Sequence, residues 1–381
     1  MATAALAVLV AIFAVSPAAR AQGFETSAEQ AILLDANTNS VLFSKNADAP
    51  VPPASLAKLM TMEVVFNALS EGRLSLDDTF LVSENAWRTG GAASGGSTMF
   101  AEVGSEIRLE DLIQGVIVQS ANDGCIIIAE GIAGSEAGFA RIMNARAEEI
   151  GLRDSVFYNS TGLPHTDQQV TMRDLVRLAL HIQRTYPDYY GYYSQQAFTW
   201  NGITQRNRNP LLDMDIGADG MKTGFTEESG YAIVGSVADD GRRLVVAMSG
   251  LASERQRAEE ARKILNWGTR GFEALSLFSA GDPIGAVRLY GGERASVPVS
   301  VREDVVLLVP LASQQALRAE IAFDGPVPAP VGRDERIATL RIYVGNQLSQ
   351  ETPLYTDEAV EVGPLHRQAI DALGELVLGW I

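Results

Sequence analysis

"VPPASLAKLM", residues 51–60, places Ser55 three residues before Lys58 in a mostly apolar run that begins just after two prolines. On a helix, residues i and i+3 share a face. A serine in a first turn also meets unpaired backbone N–H groups and the positive end of the helix dipole. Two readings compete. In one, Ser55 is a helix cap and Lys58 a solvated surface residue. In the other, Ser55 is a nucleophile and Lys58 its base. A tetrahedral oxyanion needs such N–H donors, and burial or a nearby cation lowers a lysine pKa enough for it to accept the serine proton. Taken alone, S-x-x-K favours the cap.

Working outward, "AILLDANTNSVLFSKN" (31–46) predicts two short strands around a polar turn. Residues 55–69 predict a helix, with apolar Leu56, Leu59, Met60, Val64, Phe66 and Leu69. "GGAASGGST" (90–98) has the composition of a flexible loop. Helices are expected over 109–119, 135–150 and 171–185. The second starts at Ser135 and stops at Gly151, and the third pairs Thr171 with Asp174 three residues on. Residues 230–250 read as a hairpin around Asp-Asp-Gly-Arg, followed by a helix over 253–267. Strands at both ends with helices between predict an α+β domain. After about Phe272 the chain changes to short β-rich runs with Gly and Pro turns, which predicts a separate small all-β domain.

Residues 1–21 read as a leader, with an apolar run and then Ala19-Arg20-Ala21, an A-x-A site that predicts cleavage after Ala21. The chain has 381 residues, enough for two domains. Its 47 acidic and 30 basic side chains give a net charge of −17, which argues against a nucleic-acid partner. Cys125 is the single cysteine, so no internal disulfide forms, and it reads as a small buried core residue. His165, His181 and His366 are too scattered for a zinc cluster and H-E-x-x-H is absent; with nucleophile and base both side chains, no metal or organic cofactor is expected.

Two further stretches change the weight of Ser55-x-x-Lys58. "QSAND" supplies Ser120-Ala121-Asn122 and "GMKTGFT" supplies Lys222-Thr223-Gly224. In this order the three form the triple signature of active-site serine penicillin-recognising enzymes. The sequence resembles the low-molecular-weight penicillin-binding proteins that are serine-type D-alanyl-D-alanine carboxypeptidases. "STMF", "NSTGLPH", "NRNPLL" and "RAEEARKILNWG" extend the likeness over nearly all of the mature chain. The resemblance implies a penicillin-recognising α+β domain with an antiparallel sheet and helices over 22–272, behind a signal peptide of 1–21. A β-rich domain over 273–362 and an amphipathic helix over 363–381 follow.

The same resemblance implies the roles. Ser55 is the acylated nucleophile and Lys58 its base. Ser120 and Asn122 line the opposite wall, relay protons and hold the substrate amide. Lys222 raises the local positive potential and helps keep Lys58 neutral. Thr223 meets the substrate carboxylate, and Gly224 belongs to the same binding strand. The backbone N–H groups of Ser55 and Phe225 form the oxyanion hole; Phe225 stands where the family often has His. Arg257 matches an arginine associated with the substrate carboxylate, although a helix ion pair with Glu260 would explain it equally well. The implied substrate is a peptidoglycan stem peptide ending in D-Ala-D-Ala, with β-lactams as acylating inhibitors.

Three other readings remain. A class A β-lactamase needs a glutamate to activate the deacylating water, and residues 151–221 contain none. A D,D-endopeptidase shares all three motifs. A catalytically dead scaffold would not be expected to keep them intact. The terminal segment 363–381 gathers Leu365, Ala369, Ile370, Leu373, Leu376, Val377, Trp380 and Ile381 on one face. It is either docked on the β domain or lying in a membrane interface. With the leader, the second option predicts a periplasmic protein held peripherally on the outer face of the inner membrane.

Overall fold

The computed structural model describes residues 24–311, 316–369 and 371. The expected leader lies outside them. So does most of the expected terminal helix: residues 365–369 are helical, and 370 and 372–381 are not among the described residues. No helix among the described residues is long and apolar enough to cross a membrane.

The chain forms two compact units. The first comprises Phe24–Asn37 and Phe43–Arg270. Its strands are β1 (Gln30–Asp35), the Phe43–Lys45 end of β2 (Ser40–Lys45), β3 (Thr79–Leu81), β4 (Glu106–Arg108), β5 (Ala197–Trp200), β6 (Ile203–Arg206), β7 (Ala218–Thr226), β8 (Gly230–Asp239) and β9 (Arg242–Leu251). Its helices are α1 (Lys58–Ser70), α2 (Leu109–Val118), α3 (Asn122–Ala133), α4 (Glu136–Glu149), α5 (Met172–Thr185), α6 (Pro187–Tyr190) and α7 (Glu254–Arg270). The main sheet has the order β2-β1-β9-β8-β7, and β1, β9, β8 and β7 pair antiparallel. Consecutive residues of β8 and β9 are buried, the pattern of a sheet covered on both faces. Helices α5 and α7 pack on it.

The β8–β9 hairpin closes as the sequence predicts. Asp239 pairs with Arg242, and the two loop residues, Asp240 and Gly241, have φ of 46° and 76°. That is the turn whose twist matches paired strands. The predicted caps also form: Ser135 Oγ accepts from Gly138 N–H, and Thr171 Oγ1 accepts from Asp174 N–H.

Four details differ from the sequence reading. The helix expected over 55–69 begins as a 3₁₀ turn, Ala54–Ala57, and becomes α-helical only at Lys58. Helix α3 was not expected, because Cys125–Ala129 are all buried and show no polar face to give a helical period. Strand β7 was not expected, since its glycines and Lys222 have little strand propensity. Helix α7 runs to Arg270 through Gly268, which is buried inside it rather than ending it.

The second unit holds Thr38–Leu42 and the described residues from Gly271 onward. It contains β10 (Phe272–Phe278), β11 (Pro283–Tyr290), β12 (Ser296–Ser300), β13 (Val305–Pro310), β14 (Leu317–Ala322), β15 (Val327–Pro328), β16 (Arg336–Val344) and β17 (Gln347–Thr356). Strands β10 and β13 pair, and the rest form a sheet in the order β14-β16-β17-β12-β11-β15. Val287, Val297, Val299, Leu307, Leu340 and Leu354 lie in its core.

Candidate active site

Four segments of the first unit supply the site. The 3₁₀ turn and the start of α1 carry Ser55 and Lys58. The α2–α3 junction carries Ser120 and Asn122. Edge strand β7 carries Lys222 to Phe225. The fourth is the loop Asn159–Gly162, whose Thr161 carbonyl reaches Lys58.

Close backbone packing holds these segments together. Gly224 sits on β7 where a Cβ would lie 3.2 Å from Ser55 N and 3.1 Å from Ala54 Cβ. A Cβ there would have to push strand or turn back by a few tenths of an ångström. Gly162 has φ of +81°, and a Cβ there would fall 1.8 Å from the Ala54 carbonyl oxygen. Only glycine meets both demands. The chain on either side is strained: Ala54 and Ser120 have φ of 47° and 60°. A non-glycine residue held there costs on the order of 1 kcal/mol, and such strain clusters at functional sites.

Lys58 is 1% exposed. Its Nζ lies 3.0 Å from Ser55 Oγ, 2.8 Å from Asn122 Oδ1 and 2.6 Å from the Thr161 carbonyl oxygen. The last two partners can only accept, so Lys58 donates two hydrogens to them. That leaves one tetrahedral direction of Nζ for Ser55. A neutral amine has its lone pair there, pointing at the hydroxyl it would deprotonate. The environment favours that form. Burial is the leading cause that brings the Lys58 pKa down to about 8, with the Arg208 guanidinium acting in the same direction.

Lys222 is 3% exposed and donates to the Thr223 carbonyl oxygen (3.2 Å). Among the described residues it has no carboxylate partner. Burial first, then the Lys58 and Arg208 charges, hold its pKa well below the ordinary lysine value. Arg257 is buried, and its guanidinium lies 5.7 Å from the Tyr231 ring centroid. Its Nε has no hydrogen-bond partner. The ion pair with Glu260 does not form: Glu260 accepts from Thr26 Oγ1 (2.6 Å) and faces Lys263 (3.6 Å). Lys222 and Arg257 are thus buried basic side chains with no carboxylate partner among the described residues.

Ser120 is buried and its Oγ has no hydrogen-bond partner, so the structure does not bond it to Lys58 or Ser55. Asn122 reaches Lys58, and its N–H donates to the Ser97 carbonyl oxygen (2.8 Å). Asp123 ties the glycine-rich loop to this wall: its carboxylate accepts from Thr98 Oγ1 (2.6 Å), Met99 N (3.0 Å) and Ala101 N (3.1 Å). Thr223 is 5% exposed, whereas Phe225 is half-exposed and packs on Tyr231 with ring centroids 4.3 Å apart. Cys125 is fully buried, and burial pushes its thiol up to about 12, so it stays neutral and inert. A groove of about 400 Å³ opens beside the segment leading to Ser55, lined by Pro50, Pro52, Pro164, His165, Gln169 and Glu228 among others.

Sequence reasoning missed Thr161, Asn159 and Arg208 as parts of the site. Thr161 acts through a backbone carbonyl, which no side-chain motif reports. Asn159 Oδ1 accepts from Thr161 N (3.2 Å) and Gly162 N (2.7 Å) and so shapes that turn.

A serine beside a buried, pKa-lowered lysine, with two buried basic side chains that have no carboxylate partner among the described residues, can transfer an acyl group from a substrate that carries a carboxylate. The family description "D-alanyl-D-alanine carboxypeptidase" (peptidase S11) matches residues 15–251. The chain belongs to the peptidase S11 family. A second description, the C-terminal domain of penicillin-binding protein 5, matches residues 272–362. D-alanyl-D-alanine carboxypeptidase DacD of Escherichia coli is 34% identical over 343 residues, covering 89% of this chain and 88% of the relative. DacA of the same organism is 31% identical over 93% of this chain and 89% of the relative. Penicillin-binding protein 5 from Haemophilus influenzae has a similar structure. Its TM-score is 0.70 at 32% identity, covering 91% of this chain and all of that one. These three relatives align over most of the chain, which carries all three motifs uninterrupted.

The Lys58 environment predicts a pH dependence. Only the neutral amine accepts a proton, and burial has lowered its pKa to about 8. The acylation rate of Ser55 should therefore rise about tenfold per pH unit below that value and level off above it. Stopped-flow acylation by a chromogenic penicillin reads this directly; a flat profile from pH 6 to pH 9 would contradict it.

Proposed function

We propose that the protein is a serine-type D-alanyl-D-alanine carboxypeptidase that removes the terminal D-Ala from peptidoglycan pentapeptides through an acyl-Ser55 intermediate. The observation that carries this reading is the contact of buried Lys58 with Ser55 Oγ, Asn122 Oδ1 and the Thr161 carbonyl. Lys58 takes the Ser55 proton as Oγ attacks the carbonyl of the penultimate D-Ala. The backbone N–H groups of Ser55 and Phe225 hold the oxyanion. The C–N bond then breaks, and the leaving D-Ala takes a proton through Ser120 and Lys58. Water hydrolyses the ester and frees Ser55. Penicillin acylates the same oxygen.

The substrate's terminal carboxylate is assigned to Thr223, Lys222 and Arg257. The support is the unpartnered Arg257 Nε and the lack of any carboxylate on Lys222 among the described residues. Gly224 lets β7 approach closely enough to present the Phe225 N–H. The curated carboxypeptidases that match do so over nearly the whole chain. A D-alanyl-D-alanine endopeptidase of Pseudomonas aeruginosa, by contrast, covers 55% of it. That difference favours exo-cleavage over the endopeptidase reading. Ser55→Ala should abolish both penicillin labelling and D-Ala release from a muropeptide ending in D-Ala-D-Ala. Labelling that persisted in the variant would rule out Ser55 as the nucleophile.

We also propose that the protein works in the periplasm, held on the outer face of the inner membrane by the segment 363–381. Its support is the apolar face read from the sequence; Arg367, Asp371 and Glu375 lie off that face and make the segment unsuited to spanning. Anchoring then comes mainly from apolar burial, about 25 cal/mol per Å², and resists high salt. Deleting residues 364–381 should release an active enzyme that still labels with penicillin into the soluble fraction. A truncated protein that stayed with the membrane would refute the anchor.

A further inference from the structure

The Thr161 carbonyl orients Lys58, so whatever fixes that peptide also fixes the base. Ser160 and Thr161 are almost wholly buried, and the chain is gripped there from two sides. From α1, Thr61 Oγ1 donates to the Ser160 carbonyl oxygen (2.7 Å), one turn beyond Lys58. From α4, Glu136 Oε1 accepts from Ser160 Oγ (2.6 Å) and from Ser160 N (3.2 Å). Glu136 is the first residue of α4, immediately after the Ser135 cap, where the helix dipole favours a carboxylate. Bonds to an ionised acceptor are shorter and about twice as strong as neutral ones. None of the steps described above uses Glu136.

We propose that Glu136 is a positioning residue for acylation. It locks Ser160, and through it the adjoining Thr161 carbonyl, so that two Lys58 hydrogens are taken up and the remaining direction of Nζ faces Ser55. The inference rests on the acyl-Ser55 reading and adds to it a residue that touches neither substrate nor nucleophile.

The charge of Glu136 separates this role from a merely structural link between α4 and the loop. The groups facing Lys58 are Glu136 on α4, Asp123 and the neutral Cys125 thiol on α3, Arg208 in the loop before the 3₁₀ turn Pro210–Asp213, and Lys222 on β7. Glu136 and Asp123 favour the ammonium form of Lys58, whereas Arg208 opposes it. A residue that holds the geometry therefore also sets how readily the base gives up its own proton.

The test is the rate of Ser55 acylation by a chromogenic penicillin from pH 6 to pH 10, on the full chain and three variants. Glu136→Gln keeps an acceptor for Ser160 but removes the charge. Its plateau rate should stay close to that of the unaltered protein, and its pH midpoint should move down. Glu136→Ala and Ser160→Ala break the lock, and each should lower the plateau by ~10-fold or more, the scale expected for a misplaced catalytic group. A full plateau rate in both breaking variants, or an unmoved midpoint in Glu136→Gln, overturns the proposal. If Glu136→Ala does not fold, Ser160→Ala and Glu136→Gln still decide it. An unaltered protein that did not label at all would instead overturn the acyl-Ser55 reading on which the proposal rests.

Discussion

A buried lysine amine with two partners that can only accept is the constraint on which the site depends. Asn122 Oδ1 and the Thr161 carbonyl oxygen take two hydrogens of Lys58, and Ser55 Oγ occupies the direction that remains. In water a lysine would hold three hydrogens and turn freely. Here burial lowers its pKa towards the physiological range, and the fixed acceptors remove its rotational freedom. Desolvation and orientation together turn an ordinary cation into a directed base.

Much of the first unit can be understood as holding those acceptors in place. Asn122 is set by the start of α3, where Asp123 binds the Thr98–Ala101 segment through three donors. Thr161 is set by the Asn159 turn and the grip on Ser160. Gly162 and Gly224 allow two further backbones to lie against the Ala54–Ser55 segment. The positive φ angles at Ala54 and Ser120 show that this convergence is not free. Surrounding packing must offset the strain, and the buried first two turns of α3 (Asn122–Ala129) and the double-faced main sheet provide it. Strand β7 and helix α7 leave the basic side chains of Lys222 and Arg257 buried with no carboxylate partner among the described residues, an arrangement suited to an anionic ligand.

The sequence disclosed the parts of this site that side chains encode. Ser55, Lys58, Ser120, Asn122 and Lys222 stand in three short motifs whose spacing survives in any structural context, and all lie within the same unit. Caps at Ser135 and Thr171 were legible because a short polar side chain must satisfy an exposed N–H. What was not legible acts through backbone or through burial on every side. Helix α3 has no polar stripe, and β7 is made of residues poor in strand propensity because its task is close approach. The Thr161 carbonyl has no side-chain signature at all. Strand β10 follows directly on α7, and its Glu273, Ala274 and Leu275 read as helix formers. Strand β17 is interrupted by Pro353, which weakens its strand pattern.

Lys58 transfers a proton rather than merely contributing charge. Lys58→Arg tests it most directly, because arginine keeps the positive charge but cannot act as a base near neutral pH. With the fold checked by circular dichroism, acylation of Ser55 by a fluorescent penicillin should fall by ~10²–10⁴-fold, the usual contribution of positioned proton transfer. An arginine variant that acylated at close to the unaltered rate would contradict the account.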